Sequence, residues 1–276
     1  GLLLHHDHVR EAEFLQRRLH FTPATGRTGF YPAEGRTVTV VVEAVKTDGE
    51  TAPAVAPARM FLPGEAPGTP GLRTSMPLAR LIPQGACDEL TLLTGGACTV
   101  TVTAEAGDTA TAESYRVSEA GLHLFRFDTR DFPGAERVTV DAGECGAVNY
   151  SVIPAVRDGV RLAWRSSAGS VEHYTFPVVR TVTVRAERRE AEGPEGRVVA
   201  ASSAGRETLL ASAYEGQAVL EALACLTAAP EVWIAEGDVY TPVCVVTDEA
   251  VVRRHGTLCC LEIAIRPKCK SRVSWN

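Results

Sequence analysis

Few side chains in this sequence are grouped as catalysis or tight ligation requires. His5, His6, Asp7 and His8 offer the imidazole and carboxylate donors that zinc or nickel accepts, and His20 joins them if the intervening segment folds back. A terminal run lacks the hydrogen-bonded surround that fixes ligand geometry, so a frayed end is the plainer reading and no cofactor is expected. Asp128 and Asp131, with Asp141 and Glu144 nearby, carry the groups for calcium binding or acid catalysis. Their spacing is not that of an EF-hand, and such residues equally build a polar turn. Ser166, Ser167, Ser202 and Ser203 have no GxSxG elbow around them, and His173 and His255 have no evident triad partners. The glycines form neither GxGxxG nor a Walker loop, so a phosphate cradle is missing. Trp164, Tyr174, Trp233 and Tyr240 are the residue types of a sugar-binding platform. Trp233 nevertheless lies between Val232 and Ile234, and Trp164 shares a strand with Leu162, so core packing is the stronger reading. The chain is therefore expected not to be an enzyme.

The elements that would position these residues read as mainly β. At 276 residues two cores are favoured over one, and 45% hydrophobic with 22% charged residues describes a chain that folds. The net charge of −6, with Arg and Lys scattered, disfavours nucleic acid as a partner. The apolar run Leu2 to Leu4 is too short for a membrane span, and a leader removed upstream of Gly1 would be invisible. Eight cysteines show no CxxC spacing, and several sit among apolar neighbours, which points to free thiols.

Asp7 and the apolar positions Val9, Ala12, Phe14, Leu15 and Leu19 fit a short N-terminal helix within an arm spanning residues 1–29. A β-sandwich domain follows over 30–146. Its strands are expected at Thr37 to Val45, Leu90 to Leu93, Cys98 to Ala104, Ala110 to Val117, Gly121 to Phe127 and Arg137 to Val140. Prolines between Thr51 and Pro83 confine that stretch to loop and short edge strands. A second β domain spans 147–276, with strands at Ala147 to Ile153, Val160 to Trp164, Glu172 to Phe176, Val178 to Glu187, Val232 to Ala235, Tyr240 to Thr247 and Leu258 to Ile265. The polar stretch Arg188 to Gly196 reads as an exposed loop between sheets. Val219, Leu220, Leu223 and Leu226 predict one short helix over 217–226, ended before Pro230.

The segment Val160 to Phe176, VRLAWRSSAGSVEHYTF, resembles a hairpin of tail and baseplate structural proteins from tailed phages and prophages. Leu209 to Arg266, with a short helix, APEVWI at Ala229 to Ile234 and LEIAIR at Leu261 to Arg266, is similar to the closing segment of that class. Together they cover about the last ~120 residues. The resemblance implies a non-enzymatic, oligomeric β component whose partners are other copies of itself and neighbouring structural proteins. Such a component would pass from the host cytoplasm into a virion or tail-like particle. The alternative is a surface carbohydrate-binding or adhesin-like β-sandwich protein, exported by a leader and using exposed tryptophans.

Overall fold

The computed structural model describes residues 21–33, 36–40, 43–45, 51–55, 59–65, 68–194, 196–255, 258–268 and 271–273. The expected N-terminal helix and the histidines His5, His6 and His8 lie outside them. The early strands are β1 (Gly29–Tyr31), β2 (Val38–Val40), β3 (Glu43–Val45), β4 (Thr51–Val55), β5 (Arg59–Phe61), β6 (Gly71–Arg73) and β7 (Ala79–Pro83). Longer ones follow as β8 (Cys87–Thr94), β9 (Cys98–Ala106), β10 (Thr109–Val117), β11 (Gly121–Asp128), β12 (Arg137–Asp141) and β13 (Ala147–Ile153). The second half adds β14 (Val160–Arg165), β15 (Val171–Phe176), β16 (Val178–Gly193) and β17 (Gly196–Ala211), then helix α1 (Gln217–Ala224). It closes with β18 (Val232–Glu236), β19 (Val239–Val245), β20 (Val251–His255), β21 (Leu258–Pro267) and β22 (Ser271–Val273).

The protein is mainly β, in sandwich-like units, with one short α-helix among the described residues, toward the C-terminal end. In the first half a four-stranded sheet, β1-β11-β8-β6, faces a five-stranded sheet, β10-β9-β12-β13-β7. Alternation along β9, where Val100 and Val102 are buried, and along β12, where Val138 and Val140 are, sends one side of each strand inward against Leu90, Leu92, Phe125 and Phe127. β13 belongs here and not to the second half. Its Val148 and Tyr150 alternate into the same core while its backbone pairs with β12 and, in parallel, with β7. The second half therefore begins at β14.

That half is a nine-stranded sheet in the order β15-β14-β18-β19-β21-β17-β16, with β20 on β21 and β22 on β17. Leu220 and Leu223 on α1, with Leu226 just beyond it, are fully buried against Leu162, Trp164, Val232 and Ile263. Each such side chain stabilises the fold by about 1.5–3 kcal/mol. Arg188 to Gly196 is not a loop between sheets. Strand β16 runs on to Gly193 and turns directly into β17, a strand the sequence pattern did not show, so Ser202 and Ser203 are strand residues. Both faces of this ribbon meet solvent along most of its length, which removes the apolar alternation that marks a half-buried strand. No helix among the described residues is long and apolar enough to cross a membrane.

Candidate functional site

Where the two halves meet, β8 and β15 pack together, and the contact is polar. Asp88, next to the start of β8, is its centre. Arg80 Nη1 donates to Asp88 Oδ2 at 2.8 Å and the Tyr150 hydroxyl donates to the same oxygen at 2.9 Å. From the second half, His173 Nδ1 lies 3.2 Å from Asp88 Oδ1, close in distance but outside hydrogen-bond alignment. Glu172, also on β15, approaches Arg80 at 3.6 Å and accepts from Thr74 Oγ1 (2.8 Å), Ser75 N (2.9 Å) and Ser170 Oγ (2.6 Å). Burial alone would raise the Asp88 carboxyl, but the Arg80 guanidinium above all more than reverses this and holds it well below the usual carboxylate range. His173 moves the same way for a different reason: burial, with Arg161 nearby, disfavours the imidazolium more than Asp88 favours it, so the ring is held neutral.

A second cluster forms around Arg126, buried on the face of β11 opposite Phe125 and Phe127. It donates to Asp128 Oδ2 (3.1 Å), to Asp238 Oδ1 from the turn between β18 and β19 (2.8 Å), and to the backbone carbonyls of Ala24 and Gly26. Arg130 Nη2 reaches Asp128 at 2.7 Å. Tyr240 joins the clusters, its hydroxyl accepting from Arg126 Nη1 at 3.1 Å and lying 3.4 Å from His173 Nε2. In a third cluster Arg36 pairs with buried Glu89, and the Phe21 ring lies between the guanidiniums of Arg36 (4.3 Å) and Arg165 (4.8 Å). Backbone contacts lock the same boundary. Gly64 and Gly169 have φ of +79° and +80°, and a Cβ on Gly169 would stand 2.0 Å from Pro63 O, so the loop before β6 lies directly on the turn between β14 and β15.

Beside Asp88 and His173 opens a cleft of about 410 Å³, also lined by Arg80, Arg137, Tyr150 and Arg161. Several of its ionisable groups are paired within the protein: Tyr174 donates to Glu215 at 2.8 Å, and burial raises the pKa of both. Arg161 Nη1 donates to Thr175 Oγ1, and its Nη2 donates across the boundary to the Cys87 carbonyl. The arrangement is suited to holding two β units in one orientation by charge-assisted hydrogen bonds.

The aromatic candidates do not form an open platform. Trp164 (0% exposed) and Tyr174 are in the core beneath α1, while Trp233 (5%) packs on the opposite side of the sheet with Phe21, Ala163 and Tyr240. The carboxylates do not converge either. Asp128 caps the turn after β11 and is held by arginines, Asp131 accepts from Thr28 N at 2.7 Å, Asp141 closes on Gly143 N at 2.8 Å, and Glu144 is exposed. Among the described residues no group of three or more His, Cys, Asp or Glu is placed to hold a metal, and seven described cysteines are free. Sequence reasoning missed Asp88, Glu89 and Glu172 as the organising residues. Comparison with known proteins gives no match to a family model or to a curated sequence.

Proposed function

We propose that this protein is a non-enzymatic structural component of a phage-type tail or baseplate, one that assembles with copies of itself and with neighbouring structural proteins. The observation that carries the reading is the β16–β17 ribbon. Two 16-residue strands extend about 50 Å, far more than is needed to complete a sheet edge. Strand β21 holds only the root of β17 at Thr208–Ala211, and β22 touches it at Ser202–Ala204. A two-stranded ribbon is marginal in water by itself. Val184 (66% exposed), Val198 (50%) and Val199 (55%) stand on it without contributing to either core. Apolar residues held out on a long arm suit a contact with another chain.

The resemblance of Val160 to Phe176 and Leu209 to Arg266 to tail proteins directs the reading toward a phage-type particle. The seam supports a structural role, since its buried carboxylates are taken up by arginine and hydrogen-bond donors. A carbohydrate-binding or adhesin-like protein would need aromatic faces open to solvent, and Trp164 and Trp233 are buried. The test is solution mass by light scattering across a wide concentration range, from a reduced sample. A discrete oligomer, or mass that grows with concentration, is expected; a strict monomer at every concentration counts against assembly.

A further inference from the structure

We infer that the outer edge of β16 pairs antiparallel with the same edge of a second copy, about a two-fold axis at Ala186. The inference rests on the assembly reading and names its partner. β16 ends the nine-stranded sheet, and among the described residues no strand pairs with its outer side. Pro177 and Pro194 flank it, no proline interrupts Val178 to Gly193, and beyond the bulge at Arg180 the outward N–H and C=O groups of Thr181 to Gly193 form an unblocked row.

Two identical strands can pair antiparallel about a two-fold axis only if one residue faces itself, because facing residues must point to the same side of the sheet. That restricts the registers to one per central residue, and the charges of β16 choose among them. Centres at Arg185, Arg188 or Arg189 set an arginine against itself, and a centre at Glu190 does the same for a glutamate. A centre at Glu187 opposes Arg185 to Arg189, one at Val184 opposes Arg180 to Arg188, and one at Ala191 opposes Glu190 to Glu192. Like charges directly opposite are destabilising. Centres at Thr181, Val182 or Thr183 bring neither like nor opposite charges together, whereas with the centre at Ala186 Arg185 of each copy faces Glu187 of the other and no like charges meet. The small Ala186 pair occupies the axis, flanked on its own face by Val184 and Val182, which are exposed in the single chain. Glu187 also accepts from Ser203 Oγ at 3.4 Å within its own ribbon, and this leaves its position along the edge unchanged. The result would be a single sheet running through both copies.

The experiment uses the full chain carrying Arg185→Glu or Glu187→Arg, each at an exposed position, with circular dichroism and melting curves confirming the fold. Each variant alone opposes like charges twice across the axis, and self-association weaker by about tenfold is expected by sedimentation. Mixed one to one, the two variants are complementary at both contacts, and association at the wild-type level is expected to return as a heterodimer. An Ala186→Cys variant supplies a second readout. Facing Cα atoms in an antiparallel pair are about 4.5–5.5 Å apart, within disulfide reach, so mild oxidation is expected to give a covalent dimer through the introduced thiol. The wild type, with its exposed Cys225, is the control. If the wild type associates but both charge variants associate equally well and no such dimer forms, the edge pairing is overturned and the assembly reading stands. A wild type that remains monomeric overturns both.

Discussion

Replacing Asp88 by Asn should destabilise the fold by about 3 kcal/mol, near the low end of the 3–5 kcal/mol for breaking a buried ion pair. The substitution keeps the volume and leaves an acceptor for Tyr150, but it strands the Arg80 guanidinium, whose side chain is 4% exposed. The value stays at the low end because Glu172 is 3.6 Å away and the Pro77 carbonyl and Thr74 hydroxyl still accept from Arg80. Arg80→Met should cost a similar amount by leaving Asp88 without its main partner. The double variant should cost clearly less than the sum, with a coupling of about 1–3 kcal/mol. Urea denaturation followed by tryptophan fluorescence measures all three. Single losses below about 1 kcal/mol, the range of exposed pairs, or strict additivity, would refute the claim that this pair is desolvated and interdependent.

Acid should destabilise the protein in two stages with the same sign. His173 and Asp88 both have folded pKa values below their unfolded ones, so the unfolded chain takes up the proton first. Stability is full above the ordinary histidine value of 6.5, falls below it as His173 contributes, and falls again below the ordinary aspartate value of 3.8. Denaturation midpoints measured across pH 3–8 should show that His173→Gln removes the upper stage and retains the lower. Gly169→Ala should lower the melting temperature by several degrees, since it combines a φ of +80° with a 2.0 Å clash against Pro63 O; calorimetry reads it, and an unchanged melt would contradict the close approach. Leu223→Ala on α1 should cost about 2–5 kcal/mol in the same urea assay. Acrylamide should quench native tryptophan emission from Trp164 and Trp233 poorly, and glycans should leave that emission unchanged.

Where one side of a strand is buried, local pattern was enough. Cys98 to Ala104 and Arg137 to Val140 alternate in burial and form β9 and β12, Gly121 to Phe127, expected to be covered on both faces, forms β11 with both faces buried, and Val219 to Leu226 gives α1 and the turn after it. Pattern failed where burial did not alternate. The outer ribbon has solvent on both sides, so Arg188 to Glu192 looked like a loop, and the Ala, Ser and Gly of β17 carried little strand preference. Asp88 and Glu89 looked like the polar lead into a strand beginning at Leu90. What buries them comes from far along the chain, with Arg36 lying 53 residues from Glu89 and His173 on the other half of the molecule. No short window of sequence contains both partners of such a pair. Trp233, between Val232 and Ile234, and Trp164, on a strand with Leu162, read as core positions from their neighbours, and both are buried.

The polar boundary also bears on how the molecule comes apart. A chain with two hydrophobic cores would ordinarily melt in two steps, one core at a time. Here, loosening the second half would withdraw Asp238 from Arg126, Glu172 from Thr74 and Ser75, and the guanidinium of Arg161 from the Cys87 carbonyl, leaving one arginine and several polar groups of the remaining half without these partners. A half-melted molecule is therefore expected to have little population at equilibrium, and calorimetry should show one cooperative transition for the two cores in place of the two that separate domains give. Any force transmitted through the β16–β17 ribbon would be met by the stability of the whole chain.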